Sequence, residues 1–331
     1  MKILGISVGR HNSNTEILVK ETLLGAQEAG AEVEFVRLHD LYLKPCTGCN
    51  QCVVGMFEKG QSGACVLKGD DYDWIDDKIM DCDGLVLGSP IYEKGPSGYL
   101  KSLNDRMSCG HDVAFRMIAR DVREKNGITA GTGPDPRAFK ERVATLIAVG
   151  GSEWDTLALP MLHMFCMSMQ IEVLDKILAN WIGLPGTILF YEEYLERAHK
   201  SGRHMVESLK KPVTEAKYIG PGDWICPMCH SKLFEFRTEK KNTSAKCAMC
   251  GTKGTINVVN GEIVFETTEE ARKLSCVTLS GKFHHADDLH NRSLKPHPLY
   301  HEMPERLKKY QNVLKPSKPV RKAATQPVTV E

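Results

Sequence analysis

The stretch KILGISVGRHNSNT, residues 2–15, decides the fold. It opens with a short apolar run that is typical of a buried strand, and it continues into a polar loop. Residues 16–30 then carry apolar side chains at helical spacing and end at Gly30. The pattern predicts a strand, a polar loop and a helix. Such a loop suits an anion, because backbone N–H groups at a helix start point outward and the helix dipole favours negative charge.

The loop has one glycine, Gly9, and matches neither the dinucleotide fingerprint G-x-G-x-x-G nor the nucleotide-binding motif G-x-x-x-x-G-K-[ST]. The alternative to an anion site is a polar helix cap, with Ser13 or Asn14 holding the first turn.

The alternation of strand and helix continues for about 210 residues. Further strands are predicted at 31–38, 84–90, 142–151 and within 171–179, with helices between them and a last helix at 191–211. This order indicates a parallel sheet covered on both faces. The predicted fold class is therefore α/β, with a doubly wound sheet of five strands. Residues 108–140 interrupt the rhythm as an insertion, which we expect to be a lid or binding loop that shapes the substrate pocket.

Composition excludes several classes of protein. The 331 residues have a net charge of +1, which gives no footprint for nucleic acid or an anionic membrane. No apolar run reaches the roughly 18 residues that span a bilayer. The N-terminus shows no signal-peptide pattern, so we expect a cytoplasmic protein. Twelve cysteines are many for that compartment, and their clustering favours metal or redox chemistry.

Two more loops follow predicted strands. Residues 88–106 offer a rigid proline, Pro90, and a flat aromatic ring, Tyr92, and residues 149–156 are rich in glycine. Ligands of open α/β sheets bind at the carboxyl ends of the strands. The three loops together suit a phosphate group attached to a planar heterocycle.

Four cysteines lie in one short segment, Cys46, Cys49, Cys52 and Cys65. Thiolates are soft ligands that hold iron–sulfur clusters or zinc. The favoured interpretation is a [4Fe–4S] cluster on loop 44–66, and the alternatives are zinc, a partly filled site or simple packing.

A second cysteine set, Cys226, Cys229, Cys247 and Cys250, forms two C-x-x-C pairs that are typical of a tetrahedral four-thiolate site for zinc or a single iron. Asn260-Gly261 between apolar runs predicts a β-hairpin in the same module. We therefore expect a linker at 211–223, a metal ribbon at 224–300 and a largely disordered tail at 301–331. Five histidines in this part of the chain are expected to be exposed loop residues: His284, His285, His290, His297 and His301.

The motifs ILGIS, SNT, C-x-x-C-x-x-C, GSPIY and AVGG, in this order, resemble the NADPH-dependent FMN reductase family and its iron–sulfur flavoprotein branch, which has a flavodoxin-like fold. The resemblance covers about residues 1–210 and implies FMN as the cofactor. It implies three groups of contacts, around the phosphate, beside the flavin ring and in the third loop: Ser7, Arg10, Ser13, Asn14 and Thr15; Pro90, Ile91 and Tyr92; Gly150 and Gly151. The C-terminal module resembles zinc ribbons and rubredoxin-like knuckles.

The first functional hypothesis is an FMN-dependent oxidoreductase that reduces a small aromatic or quinone-like substrate, with NAD(P)H or a ferredoxin-type protein as donor. The alternative is an electron-transfer flavoprotein that relays electrons between protein partners. A nucleic-acid-binding ribbon fused to a flavin sensor has little support from the net charge. Candidates for a catalytic role are Tyr92, Cys109 and His111, with Asp112 beside them. Family resemblance implies a homodimer or homotetramer.

Overall fold

The computed structural model describes residues 1–223, 225–236, 244–311, 313 and 317. The chain divides into two compact units, residues 1–287 and 288–331. The first unit holds two sheets, a parallel sheet wrapped by helices and a smaller antiparallel sheet that carries four cysteines. The predicted α/β fold class is confirmed.

The parallel sheet has the strand order β2-β1-β3-β5-β6, with the short β4 paired to the end of β3. Its strands are β1 Lys2–Ser7, β2 Glu32–Arg37, β3 Gly84–Tyr92, β4 Gly95–Pro96, β5 Val143–Val149 and β6 Glu172–Ala179. The order reverses between β1 and β3, so the carboxyl ends of these two strands flank the crevice where ligands of such sheets bind.

Seven α-helices belong to this part of the chain: α1 Asn14–Glu28, α2 Gln51–Lys59, α3 Tyr72–Asp81, α4 Gly98–Met107, α5 Val113–Lys125, α6 Ala158–Met167 and α7 Glu192–Ser208. Two apolar cores cover the faces of the sheet. One lies under α3, α4 and α6, and the other lies under α1 and α7. Residues buried on both faces explain why the strands read as continuous apolar runs.

Helices α1 and α7 approach each other closely through two glycines. A Cβ at Gly202 would lie 1.8 Å from the carbonyl oxygen of Thr22, and one at Gly25 would lie 2.0 Å from that of His199. The hydroxyls of Thr145 and Ser201 hydrogen-bond at 2.7 Å beneath this contact. The two helices therefore pack backbone against backbone around Thr22 and Gly25 of α1.

The insertion 108–140 contains a helix, α5, which the sequence did not predict. Asp112 caps its first turn by accepting hydrogen bonds from the backbone N–H groups of Ala114 and Phe115. The Phe115 ring packs on Phe57 of α2, with ring centroids 5.0 Å apart. The insertion thus lies against the helix that follows the first cysteines.

The antiparallel sheet has the order β10-β9-β8-β7. Its strands are β7 Phe234–Phe236, β8 Ser244–Cys247, β9 Lys253–Val259 and β10 Glu262–Glu266. Asn260 and Gly261 both have positive φ, 52° and 84°, which confirms the predicted two-residue hairpin. The short α8, Glu269–Lys273, and α9, Leu279–Asp288, follow this sheet.

The second unit holds one α-helix among its described residues, α10 Met303–Gln311, which has no buried residue. This helix lies within the tail 301–331 that was expected to be largely disordered, and most of 312–331 lies outside the described residues. No helix in the described part of the chain is long and apolar enough to cross a lipid bilayer.

Candidate flavin and metal sites

The first loop, residues 8–13, leaves the carboxyl end of β1 and enters α1. Ser13 caps the helix, because its Oγ accepts a hydrogen bond from the backbone N–H of Glu16 at 3.2 Å. Gly9 leaves room in this turn, since a Cβ there would lie only 2.2 Å from Ser13 Oγ. Arg10 is exposed and forms no ion pair within the described residues. The loop therefore presents an N-terminal helix end with an available cation, an arrangement that suits a phosphate.

Three predicted phosphate-loop residues are buried, namely Ser7, Asn14 and Thr15. The Asn14 amide donates to the carbonyl oxygens of Ile182 and Leu184 at 3.1 and 2.8 Å and accepts from the backbone N–H of Ile188 at 3.1 Å. The Asn14 side chain thus forms its hydrogen bonds with segment 182–188 and connects that segment to the first loop.

The second loop forms a tight hairpin at the end of β3. Ile91 and Tyr92 pair with Pro96 and Gly95, and the two residues between them, Glu93 and Lys94, have φ of 46° and 69°. Positive φ at two non-glycine residues is uncommon and clusters at functional sites. The hairpin places Tyr92 in solvent, with 63% of its surface exposed.

The third loop begins at Gly150, whose backbone N–H donates to Ala179 at 2.9 Å and whose carbonyl accepts from Ile182 at 3.0 Å. A Cβ at Gly150 would lie 3.0 Å from Ile91 Cδ1, so the second and third loops touch. Asn180, at the end of β6, donates to Asp155, while its buried Oδ1 accepts no hydrogen bond from the described residues. This oxygen lies near Gly150 and has no hydrogen-bond donor among the described residues.

Exposed aromatic rings lie in the loops at this same edge. Trp154 is 62% exposed and Trp181 is 66% exposed, and Lys94 lies over the Trp154 ring at 6.0 Å from its centroid. Neither tryptophan was a candidate in the sequence, because a ring in a polar loop gives no periodic signal. Flat exposed rings at the carboxyl edge suit a planar ligand.

The edge of the sheet therefore fits FMN. The helix end and Arg10 suit the phosphate, and the unpartnered Asn180 Oδ1 can accept from a ring N–H.

Four thiols meet in the antiparallel sheet, those of Cys226, Cys229, Cys247 and Cys250. Their Sγ atoms all lie within 4.8 Å of one another, with 3.6 Å between Cys226 and Cys250 and 3.5 Å between Cys229 and Cys247. A tetrahedron with metal–sulfur bonds of about 2.3 Å has sulfur atoms roughly 3.8 Å apart. The four residues are at most 1% exposed, so the arrangement fits a closed four-thiolate metal site.

Two similar turns build this site. The backbone N–H of His230 donates to Cys226 and that of Gly251 donates to Cys247, at 3.0 and 2.9 Å. Both donors have positive φ, 54° and 74°. Glycine adopts this conformation freely at Gly251, whereas His230 adopts it with a side chain present.

The cysteines of loop 44–66 are arranged differently. Cys46 and Cys49 are exposed, Cys52 and Cys65 are half-buried, and these four do not form a compact ligand set like that of the ribbon among the described side chains. Burial raises the pKa of the Cys52 thiol to about 11, and the neighbouring thiols of Cys109, Cys65 and Cys49 add to this pKa shift.

Cys109 therefore lies near this loop, which the sequence did not predict. The backbones of the two segments touch, since a Cβ at Gly63 would lie 2.7 Å from the carbonyl oxygen of Gly110. Arg106 interacts with Cys65, and its fully buried side chain also pairs with Asp70. Five thiols, rather than four, are thus available around loop 44–66.

Two other catalytic candidates have structural partners. His111 is 3% exposed, and its Nε2 lies 2.5 Å from Asp76 Oδ1. Burial lowers the pKa of His111, which favours the neutral imidazole. Asp112 caps α5 and pairs with Lys282 Nζ at 3.0 Å. Both residues lie in the first part of the insertion 108–140, which contacts α2.

The histidines of the C-terminal region do not join a metal cluster within the described residues. His285 stacks on Phe115, with ring centroids 6.1 Å apart. His290, His297 and His301 belong to the second unit.

The sheet order and the three loops define a flavodoxin-like flavoprotein. A family model described as NADPH-dependent FMN reductase matches residues 1–176, which is more than half of the chain. The chain belongs to this family, and it is an FMN-dependent oxidoreductase.

Similar proteins extend the comparison beyond this domain. A solved structure of a flavone reductase superposes with a TM-score of 0.80 at 32% identity and covers 96% of this chain and 100% of that one. A flavone synthase from Aspergillus candidus is 29% identical over 299 residues, which are 87% of this chain and 88% of that protein. An iron–sulfur flavoprotein from Methanocaldococcus jannaschii is 44% identical over 107 residues, 32% of this chain and 51% of that protein.

Proposed function

We propose that this FMN-dependent oxidoreductase acts on a flat aromatic enone of the flavone class. The observation that carries the proposal is the likeness to a flavone reductase over 96% of this chain at a TM-score of 0.80, which includes the region of the four-thiol ribbon. The similar flavone synthase also aligns over 87% of this chain. Likeness of this extent supports a shared substrate class better than likeness of the flavin domain alone.

The rim of the flavin site suits such a substrate. Tyr92, Trp154 and Trp181 expose ring faces at the carboxyl edge of the sheet, where a planar molecule can stack. Lys94 already lies over one of these rings and carries a cation that can approach a substrate carbonyl. The proposal thereby narrows the expected aromatic substrate to one that has a carbon–carbon double bond conjugated to a ring carbonyl.

When bound, FMN supplies the two electrons and one hydrogen that leave as hydride. Reduction of the double bond of such a substrate would place hydride on the carbon β to the carbonyl and a proton on the α carbon. We propose that the first loop, with Ser7, Arg10, Ser13 and Thr15, holds the phosphate, while Asn14 positions the loop through segment 182–188. In the same proposal Pro90, Ile91, Tyr92, Gly150 and Gly151 surround the flavin ring.

Replacement of Trp154 by alanine tests the substrate site. Loss of a stacking ring costs roughly 1.4 kcal/mol, so we expect KM for flavone to rise about tenfold while bound FMN is unchanged. The measurement is anaerobic conversion of flavone with reduced pyridine nucleotide as donor, with product identified by chromatography.

Trp74 provides the matched control, because it is 47% exposed on α3 with Lys78 over its ring. Trp74→Ala should keep the wild-type KM. The flavone proposal is wrong if the wild-type protein converts simple quinones but neither reduces flavone nor oxidises flavanone, the product of flavone reduction.

A second candidate function is an electron relay between proteins, with no small substrate. The exposed thiols Cys46 and Cys49 favour it, because a cluster at this surface would be open to a protein partner. We propose a [4Fe–4S] cluster on loop 44–66 and zinc, or a single iron, in the ribbon. A relay predicts two iron centres, whereas the flavone proposal is compatible with zinc in the ribbon.

Serine variants test the cluster. Anaerobically purified wild-type protein should contain about four iron atoms per chain beyond the ribbon metal, and Cys49→Ser should lose them and keep FMN. The fourth ligand could be Cys65 of the loop or the nearby Cys109. Comparison of the single variants Cys65→Ser and Cys109→Ser identifies it. Cys276→Ser, at an exposed thiol of the ribbon region, is the control. Equal iron in Cys49→Ser and wild type would contradict the cluster.

We further propose that residues 1–210 are the flavin-binding domain and 224–300 the metal ribbon, joined by the linker 211–223. A homodimer or homotetramer is proposed from the family. The exposed apolar residues Leu184, Leu189 and Phe190 after β6 offer a surface for such an assembly.

A further inference from the structure

Lys176 is a buried lysine on β6, at the edge of the parallel sheet. Its side chain is only 5% exposed, and its Nζ donates to the carbonyl oxygens of Cys229 and His230 at 2.6 and 3.2 Å. These acceptors form the first turn of the ribbon metal site, 53 and 54 residues further along the chain. A strand of the flavin-binding part thus reaches directly into the four-thiol module.

The charge of Lys176 has no carboxylate partner at this place. Among the described residues, no Asp or Glu oxygen lies within 4.0 Å of its Nζ. Neighbouring Asp175 pairs instead with Arg197, at 2.6 Å. A buried ammonium whose hydrogen-bond acceptors are neutral carbonyl oxygens is costly unless another charge compensates it.

A divalent metal on four thiolates supplies that charge. Four thiolates carry four negative charges, so the complex with Zn²⁺ or Fe²⁺ has a net charge of −2 within a buried site. Cys229 is both a thiol of this site and the residue whose carbonyl accepts from Lys176. The ammonium therefore contacts the backbone of a ligand residue, and opposite charges attract strongly where water is excluded.

We propose that Lys176 is the counter-charge of the ribbon metal site, so that metal binding holds the ribbon against β6. The inference rests on the metal site proposed above. With the site empty, the metal–thiolate complex and its net charge of −2 are absent, so the ammonium of Lys176 loses this compensating charge, and the contact between the ribbon and β6 weakens. Metal binding and docking of the ribbon are then one coupled equilibrium.

Release of Zn²⁺ from the full-length chain to a coloured chelator tests the role of the charge. Lys176→Met removes charge and hydrogen bonds, and Lys176→Gln keeps a donor for the Cys229 carbonyl but removes the charge. We expect both variants to release Zn²⁺ at least about tenfold faster than wild type, as is usual for the loss of a residue that supports metal ligands. Lys253→Met, at an exposed lysine of β9 in the ribbon, should release Zn²⁺ at the wild-type rate.

The outcomes separate the two proposals. Wild-type protein that binds no stoichiometric metal overturns the metal site itself. Wild-type release from Lys176→Gln overturns the role of the charge, even if Lys176→Met does not fold. Docking is followed by limited proteolysis of linker 211–223. Faster cleavage after chelation in wild type is expected, and equal cleavage before and after chelation overturns the coupling.

Discussion

Gly9→Val is expected to give a folded protein that purifies without FMN. A Cβ at this position would lie 2.2 Å from Ser13 Oγ and 3.1 Å from Thr15 Cβ, which is closer than side-chain atoms normally approach. Ser13 would have to leave its cap on α1, and the helix end that we assign to the phosphate would be displaced. Since the phosphate site depends on these backbone donors, we expect FMN affinity to fall by at least about a hundredfold, or roughly 2.7 kcal/mol.

The measurement is the flavin-to-protein absorbance ratio after gel filtration, together with titration of the apoprotein with FMN. Gly222→Val is the matched control, because nothing lies within 4 Å of a Cβ at Gly222 in the linker. Circular dichroism checks that both variants fold. A Gly9→Val protein with full flavin content would show that the phosphate lies elsewhere.

Much of the fold was predictable because apolar runs and helical spacing repeat through the first 210 residues. All five main strands lie within the predicted segments or differ from them by a few residues at an end. The hairpin at Asn260-Gly261 was predictable for a local reason, since few sequences adopt two positive φ angles in succession. The two C-x-x-C pairs likewise indicated a single metal site from spacing alone.

Helix α5 was missed although a signal was present. Asp112 is a favoured N-cap residue, and Ala114, Phe115 and Ala119 follow at helical spacing. The length of the insertion favoured a loop instead. Arg116 made the helix harder to predict, because a charged residue suggests an exposed position in the sequence. In the structure its side chain is buried and donates to the carbonyl oxygen of Gly110.

Contacts between distant segments could not be predicted. Cys109 lies near loop 44–66 because tertiary contacts, among them that of Gly63 with Gly110, join the two segments. Lys176 is a charge within an apolar strand, and its acceptors are 53 and 54 residues away. Asn14 had a clear local interpretation as a phosphate or cap residue, yet its amide bonds segment 182–188. In each case the partner, not the residue type, determines the role.

Cys226→Ser is expected to remove the ribbon metal completely and to leave the flavin in place. The four thiols are the only set of three or more metal-ligating side chains gathered closely in the described part of the chain, and a hydroxyl is a poor replacement for a soft thiolate. Small metal modules obtain much of their folding free energy from the ion, about 10–16 kcal/mol in zinc-finger peptides. The ribbon metal should therefore fall from about one ion per chain to near zero, while the iron proposed for loop 44–66 stays, and residues 225–286 should become sensitive to protease.

Cys276→Ser is the matched control for this variant, because Cys276 is exposed and lies beside the site, with its backbone N–H bonded to the Cys250 carbonyl at 2.8 Å. It should keep the ribbon metal ion and the protease resistance of wild type. Metal analysis by mass spectrometry also identifies the ion. A visible spectrum gives a second test, because iron on four thiolates absorbs visible light and zinc does not. If Cys226→Ser retained both its metal and its protease resistance, the four thiols would be a packed core rather than a metal site. The dependence of ribbon docking on Lys176 would then lose its physical basis, because no buried negative charge would face the ammonium.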